Sequence, residues 1–187
     1  PSPDHSRPDH SADGSGPSPL AEARTIVQRQ LRAVRRSGRS LITTPRGRRM
    51  RNDREFFWRT SALAMIGFDP DDEPDFEITA RLCALMVIVA DDSDRDIDDL
   101  VPIVDDLVRS RAWSAGSENR AFGQGIRAAV VALRRRMVAL GTITDASGST
   151  LALDDVGVAA ALTALRAAAL GPRRTSPNRH PAWIGLD

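Results

Sequence analysis

The sequence predicts a mainly α-helical chain with one short β-hairpin. Apolar residues recur at intervals of three and four in several long segments, which is the spacing of one helix face. The clearest stripe consists of Ile126, Val130, Leu133, Met137 and Leu140. It ends just before Gly141, and glycine is the residue that most often terminates a helix. Beyond it, two β-prone runs, TIT and TLAL, flank DASGS, whose glycine suits the turn of a hairpin.

Composition divides the chain into four parts. Residues 1–20 are rich in Pro, Ser, Asp and Gly and hold almost nothing to bury, which predicts a disordered tail. Residues 21–68 are predicted to form a basic helical arm. Residues 69–171 are predicted to form a helical domain that carries the hairpin, and residues 172–187 a polar C-terminal tail.

Within the arm, apolar residues at helical spacing predict a helix over residues 21–36. Glycine and proline in SGRSLITTPRGRRMRND, residues 37–53, predict a break. Residues 54–68 return to a helical pattern. In the domain, helices are expected over residues 76–90 and in the segments IDDLVPIVDDLVRSRAW, NRAFGQGIRAAVVALRRRMVALG and DDVGVAAALTALRAAALG.

The net charge of +1 conceals a strong separation of charge. All 26 basic residues are arginine. Twelve of them and two acids lie between Arg24 and Arg59, whereas fourteen acids and two arginines lie between Asp69 and Asp106. Such asymmetry suggests one part that faces nucleic acid and another that avoids it or meets a basic partner. Alternatively, the two segments pair with each other within one fold.

Few residues offer catalytic or metal chemistry. His5, His10 and His180 fall in the predicted tails, and Cys83 lies in an apolar run where a buried thiol is inert. In DDSDRDIDD the aspartates alternate as in a calcium loop, but its glycine and its terminal glutamate are missing. We therefore expect a non-enzymatic protein without a metal or a cofactor.

The expected location is the cytoplasm, without a membrane partner. A single cysteine cannot form an internal disulfide, which suits a reducing compartment. No run approaches the roughly 18 apolar residues that a membrane helix needs.

The stretch LRRRMVALGTITDASGSTLALDDVGVAAALTALRAA resembles the end of a winged-helix domain, and the resemblance covers roughly residues 76–170. In that family a recognition helix is followed by a β-hairpin wing and a further helix. The resemblance implies a winged-helix-like helical domain in which Arg127, Arg134 and Arg135 lie on the recognition helix and contact nucleic acid. Residues 145–149 would form the wing tip.

Two features of this region depart from a DNA-reading winged helix. The wing carries no arginine, and the helix expected before the recognition helix is acidic. Its carboxylates would repel DNA and are instead candidates for binding a protein partner: Asp98, Asp99, Asp105 and Asp106. Direct DNA reading and protein binding both remain open.

The arginine cluster of the arm is the stronger candidate for binding nucleic acid. RGRRMRNDR places Arg46, Arg48, Arg49 and Arg51 close together, and dense guanidinium groups bind phosphates. Three aromatic residues follow at 56–58, and we expect them to pack their own helix rather than stack on bases.

Two functions are compatible with these patterns. The first is a nucleic-acid-associated winged-helix protein, binding DNA in preference to RNA, that acts as a regulator or as a subunit of a DNA-handling or defence complex. The second rests on the order of LRAVRRSG, FFWRT, ARLCALMV and VVALRRRMVAL, which resembles the helical small subunit of type I-E CRISPR complexes. Residues 142–153 discriminate between them, since the first requires antiparallel pairing there and the second a loop.

Overall fold

The computed structural model describes residues 18–67, 75–91, 94–110, 119–143 and 148–170. The predicted disordered tail, except for its last three residues, and the predicted C-terminal tail lie outside these ranges, as does most of the acidic stretch before residue 75. Within them the chain is mainly α-helical, as the sequence predicts, and it contains seven α-helices and short antiparallel strands.

The first helix is shorter than predicted. Helix α1 spans Pro19–Thr25, and the Ser18 hydroxyl caps it by accepting from the backbone of Ala21. A π-helical segment, Ile26–Gln30, continues it. The predicted helix over residues 21–36 is wrong beyond this point because Arg32 adopts a left-handed conformation, with φ of +49°, that ends the helical path.

A β-hairpin occupies the segment where the sequence predicted the end of a helix and a break. Strands β1 (Val34–Ser37) and β2 (Ser40–Thr43) pair antiparallel, with Ser37 opposite Ser40. Gly38 begins the two-residue turn with φ of +60°, which glycine adopts without strain. Seven of the eight strand residues are exposed, so no burial pattern marks the hairpin in the sequence.

Two helices complete the basic segment. Helix α2 spans Pro45–Asn52 and helix α3 spans Arg54–Ile66, so the predicted interruption of the helices holds for residues 37–44 and is wrong for residues 45–52. The Thr44 hydroxyl accepts from Gly47 at 3.0 Å and donates to the Arg32 carbonyl at 2.6 Å, which joins α2 to the turn before β1. A Cβ on Gly47 would lie 2.1 Å from the Ala33 carbonyl oxygen, and glycine permits this close approach.

The remaining helices match the predicted ones closely. They are α4 (Asp75–Asp91), α5 (Ile97–Ser110), α6 (Asn119–Leu140) and α7 (Asp155–Leu170). Gly141 follows α6 with φ of +67°, as expected of a C-cap.

The strands near α6 differ from the predicted hairpin. Strand β3 (Arg95–Asp96) pairs antiparallel with β4 (Thr150–Leu151), while Ile143 and Leu153 form a single antiparallel bridge. The segment after α6 therefore turns back on itself, but its returning strand also pairs with β3, far earlier in the chain. Residues 144–147, which hold most of the predicted wing tip, lie outside the described residues.

The basic segment shares the hydrophobic core of the later helices. Met65 and Ile66 of α3 are fully buried in one cluster with Leu85 of α4 and Leu133 of α6. Helix α3 packs on α7, and α1 packs on α6. The buried Arg81 guanidinium donates to the Ile66 carbonyl at 2.9 Å, which ties the end of α3 to α4. Residues 21–67 are therefore packed into the same body as helices α4, α6 and α7.

Replacing two helical glycines by alanine should change the free energy of unfolding in opposite directions. A Cβ on Gly157 of α7 would lie 2.1 Å from the Thr142 carbonyl oxygen, whereas a Cβ on Gly123 of α6 would meet nothing within 4 Å. We expect Gly157→Ala to lower the free energy of unfolding by about 1–3 kcal/mol through overpacking. Gly123→Ala should raise it by roughly 0.5–1 kcal/mol, because alanine is the better helix former. Urea denaturation measures both, and a stabilised Gly157→Ala variant would contradict the packing of α7 on residue 142.

Candidate nucleic-acid interface

The arginines of the basic segment lie on the surface. All twelve from Arg24 to Arg59 are exposed. Of the two acids among them, Asp53 is already engaged, since its carboxylate accepts from the backbone of Phe56 at 2.9 Å and lies 3.7 Å from Arg49. Its negative charge therefore offsets at most one of its neighbours.

Most of these arginines have no carboxylate partner in the part of the chain that the structure describes. Ten of them form no ion pair with any residue that the structure describes: Arg24, Arg29, Arg35, Arg36, Arg39, Arg46, Arg48, Arg51, Arg54 and Arg59. Two described carboxylates of the acidic segment pair within that segment. Glu77 and Asp91 contact Arg81 and Arg95 one turn further along the chain. Among the described residues, these ten arginines therefore do not pair with the acidic segment.

The hairpin and α2 carry a continuous part of this positive surface. The Arg36 side chain donates to the Gly38 carbonyl at 3.0 Å across the turn, and Arg48 donates to the Thr43 carbonyl at 3.4 Å. These contacts use backbone oxygens, so they orient the guanidinium groups without removing their charge. Each group keeps donors for an external anion.

A cleft of about 470 Å³ opens between the π-helical segment, α2 and α3. Three of its lining residues are arginines, and the others are polar or apolar: Gln30, Arg46, Arg49, Phe56, Arg59, Thr60, Leu63 and Ala64. The Arg49 guanidinium carbon lies 4.1 Å from the centroid of the Phe56 ring, and that of Arg46 lies 5.8 Å from it. Both distances allow a cation–π attraction, which holds two cations beside one aromatic ring.

Gln30, which lines the cleft, hydrogen-bonds the buried Arg136 guanidinium. The amide of Gln30 donates to the Ala64 carbonyl at 2.8 Å and accepts from Arg136 at 3.0 Å, in the amide orientation that satisfies both groups. Arg136 belongs to α6, is only 6% exposed, and lies 3.8 Å from Glu22 of α1. The cleft is therefore anchored to the helical core rather than formed by surface side chains alone.

The three aromatic residues at positions 56–58 lie in different environments. Phe56 is half-buried and packs against Ile26, Leu31 and Met50. Trp58 donates its indole N–H to the Thr163 hydroxyl at 3.0 Å, which links α3 to α7. The expected packing role therefore holds for Phe56, whereas Phe57 and Trp58 remain 49% and 37% exposed.

The arginines predicted on the recognition helix lie in different environments. Arg127 is exposed but pairs with Asp98 at 2.5 Å. Arg134 is half-buried, and its Nε donates to the Thr150 carbonyl at 3.2 Å. Arg135 is also half-buried, and its Nε has no hydrogen-bond partner among the described residues. They do not form a set of open donors comparable to the basic segment, and their contact with nucleic acid stays a prediction.

The predicted acidic face is only partly open. Asp98, Asp99 and Asp106 are exposed on α5, and Asp98 is the partner of Arg127. Asp105 is half-buried and accepts from Arg109 at 2.9 Å. Asp99 and Asp106 are therefore the members of this face most available to a basic partner.

Two features of the site escaped the sequence prediction. The contribution of Gln30 and Arg59 to the cleft depends on how three elements pack, and no local pattern contains it. The burial of Arg136 had a signal, because the residue lies three positions after Leu133 and four before Leu140, within the apolar stripe of α6.

Compared with protein-family models, with curated proteins and with solved structures, the chain matches none. In the described part of the chain, no helix has the length and apolar character to cross a bilayer. The same residues contain no cluster of three or more side chains able to hold a metal ion.

Asp96 links the acidic helix to the strand that follows α6. One carboxylate oxygen accepts from the Asp98 backbone at 2.9 Å, which caps α5. The other accepts from the Ser149 hydroxyl. The Ser149 hydrogen bond lowers the pKa of the Asp96 carboxyl below its ordinary value of 3.8, and the Asp98 hydrogen bond lowers it further.

Because this pKa is depressed in the folded chain, ionised Asp96 stabilises the fold above the ordinary value, and the contribution is lost as the pH falls through the folded pKa. Asp96→Asn should therefore lower the melting temperature at about pH 6 and have less effect at about pH 2.5. Asp94→Asn is the control, since Asp94 is exposed and makes no hydrogen bond to another described residue. An equal loss in the Asp96 variant at both pH values would contradict the assignment.

Proposed function

We propose that this protein is a non-enzymatic, nucleic-acid-associated protein that grips phosphate groups, of DNA in preference to RNA, through the hairpin β1–β2 and helix α2. One observation carries the proposal: ten exposed arginines of one segment form no ion pair with any described residue. Concentrated positive charge that forms no ion pair with the described residues favours a polyanion, because binding releases the counterions condensed on the polyanion.

The proposal assigns phosphate contact, rather than base reading, to the main surface. Guanidinium groups bind phosphates in two-pronged geometry, and such contacts position a protein on a duplex without reading its sequence. The α6 arginines would be needed to read bases in the major groove, but Arg127 and Arg134 already bind Asp98 and the Thr150 carbonyl. We therefore expect weak sequence preference.

A winged-helix-like arrangement of residues 75–170 is part of the proposal. The order α4, β3, α5, α6, β4 and α7 supports it, and so does the position of the strand segment 150–153, which pairs with β3 through β4 and bridges to Ile143. The exposed carboxylates Asp99 and Asp106 on α5 would face a basic protein partner. The basic surface and the exposed carboxylates of α5 together suit a regulator or a subunit of a DNA-handling or defence complex.

The proposed location is the cytoplasm, where the buried thiol of Cys83 would stay reduced. The helical subunit of a ribonucleoprotein assembly is the second candidate, since the mainly helical architecture suits it equally. The bridge between Ile143 and Leu153 favours the first candidate, because the second expects a plain loop there.

The proposal predicts which arginines set the affinity for DNA. In Arg48→Gln one exposed charge of α2 is removed outside the cleft, and the control Arg166→Gln removes one exposed charge from α7. Fluorescence anisotropy with a labelled DNA duplex at several salt concentrations measures binding. Affinity should fall steeply with salt, and the α2 variant should reduce the slope of log K against log salt by about one per lost phosphate contact.

The control variant should retain the slope of the native chain. Equal losses in the two variants would show a general effect of net charge and would refute the assigned surface. Binding that does not respond to salt would refute phosphate contact altogether. Tighter binding to RNA than to DNA of the same sequence would favour the ribonucleoprotein candidate.

A further inference from the structure

We infer that the cleft between the π-helical segment, α2 and α3 is a binding site for the phosphomonoester group of a nucleotide. Its source would be a free mononucleotide or the 5′-phosphorylated end of a strand. The inference rests on the proposed function only for the strand-end source.

Arg49 lies beside the aromatic ring of the site. Its guanidinium carbon lies 4.1 Å from the centroid of the Phe56 ring, and its Nε lies 3.7 Å from the Asp53 carboxylate. The side chain is 64% exposed, so the planar guanidinium presents open surface to a ligand. Nucleic-acid bases stack on such planes as well as on aromatic rings. We assign Arg49 to stacking on a base.

Arg46 and Arg59 are the phosphate ligands. Both line the cleft, both are exposed, and neither forms an ion pair with a described residue. They come from different helices, so a phosphate between them would be held from two sides. A terminal phosphomonoester carries close to two negative charges at neutral pH, which suits two arginines better than the single charge of a phosphodiester does.

The rest of the lining gives the ligand its size and character. Leu63 and Ala64 supply apolar surface beside the polar group of Thr60. A volume of about 470 Å³ exceeds the needs of a phosphate ion and falls within the roughly 300–1,000 Å³ of small-molecule sites. A ligand with an anionic end and a planar, partly apolar body fits this lining, and a nucleotide has that composition.

The attachment of the cleft to the core favours a preformed site. The Gln30 amide hydrogen-bonds the Ala64 carbonyl and Arg136 of α6, so this part of the cleft lining is held in place before a ligand arrives. A preformed site loses little conformational entropy when it binds.

The test uses the full chain and isothermal titration calorimetry with deoxyadenosine 5′-monophosphate. The site variant is Arg59→Gln. Its matched control is Arg54→Gln, which removes one exposed charge from the same helix outside the cleft. We expect the nucleotide to bind the native chain and the control variant alike. It should bind Arg59→Gln roughly ten-fold or more weakly, because a charge-assisted hydrogen bond is lost. Circular dichroism checks that both variants fold.

Three results would overturn the inference. Equal weakening in the two variants would show general attraction by the positive surface. Equal affinity for deoxyadenosine, which has no phosphate, would remove the phosphate from the recognition. A phosphoserine peptide that competes as well as the nucleotide would show that the planar base contributes nothing.

Oligonucleotides with 5′-phosphate and 5′-hydroxyl ends separate the two sources. A preference for the phosphorylated end that is lost in Arg59→Gln assigns the site to strand ends, and its absence beside nucleotide binding assigns it to free nucleotides. Duplex DNA with 5′-hydroxyl ends tests the proposed function separately. A chain that binds the nucleotide but not this duplex would refute the proposed function and support the cleft, and the reverse result would refute the cleft alone.

Discussion

The buried guanidinium of Arg136 holds the basic segment against the helical core. A charge in the interior must be paired and hydrogen-bonded, or its desolvation makes the fold unstable. Arg136 extends from α6 and meets both Glu22 of α1 and the Gln30 amide, so two parts of the segment depend on one cation. Arg81 performs a similar task at the other end, where it binds the last carbonyl of α3. These two arginines connect the segment to the core through specific polar contacts as well as packing.

Such anchoring matters because the surface of the segment opposes its own folding. Exposed arginines that form no ion pair with a described carboxylate repel one another, and salt or a bound anion lowers this repulsion. Backbone contacts offset part of that cost. Gly47 lets α2 approach the Ala33 carbonyl closely, and Asp53 caps α3. A surface that is electrostatically unfavourable by itself becomes favourable when a polyanion covers it, which is the physical basis of the proposed function.

The sequence predicted correctly those helices that bury a periodic apolar face. Helices α4, α5, α6 and α7 each bury a periodic apolar face, and their extents agree closely with the patterns in the sequence. The hairpin β1–β2 exposes nearly all its side chains, so periodicity could not reveal it, although Gly38 and the neighbouring β-branched residues suit it. The strand pairing of Asp96 with Thr150 joins distant parts of the chain and leaves no local signal either.

The sequence by itself determined that the protein is mainly helical, that arginines far outnumber acids between Arg24 and Arg59, and that acids far outnumber arginines between Asp69 and Asp106. Charge and the spacing of apolar residues are local properties, so both can be read directly from the sequence. Only the tertiary structure decided which arginines remain open. It buried Arg136, paired Arg127 with Asp98, and brought Arg46, Arg49 and Arg59 around one cleft. The neighbours of a long, charged side chain are set by the packing of separate elements, and no property of its own segment contains that information.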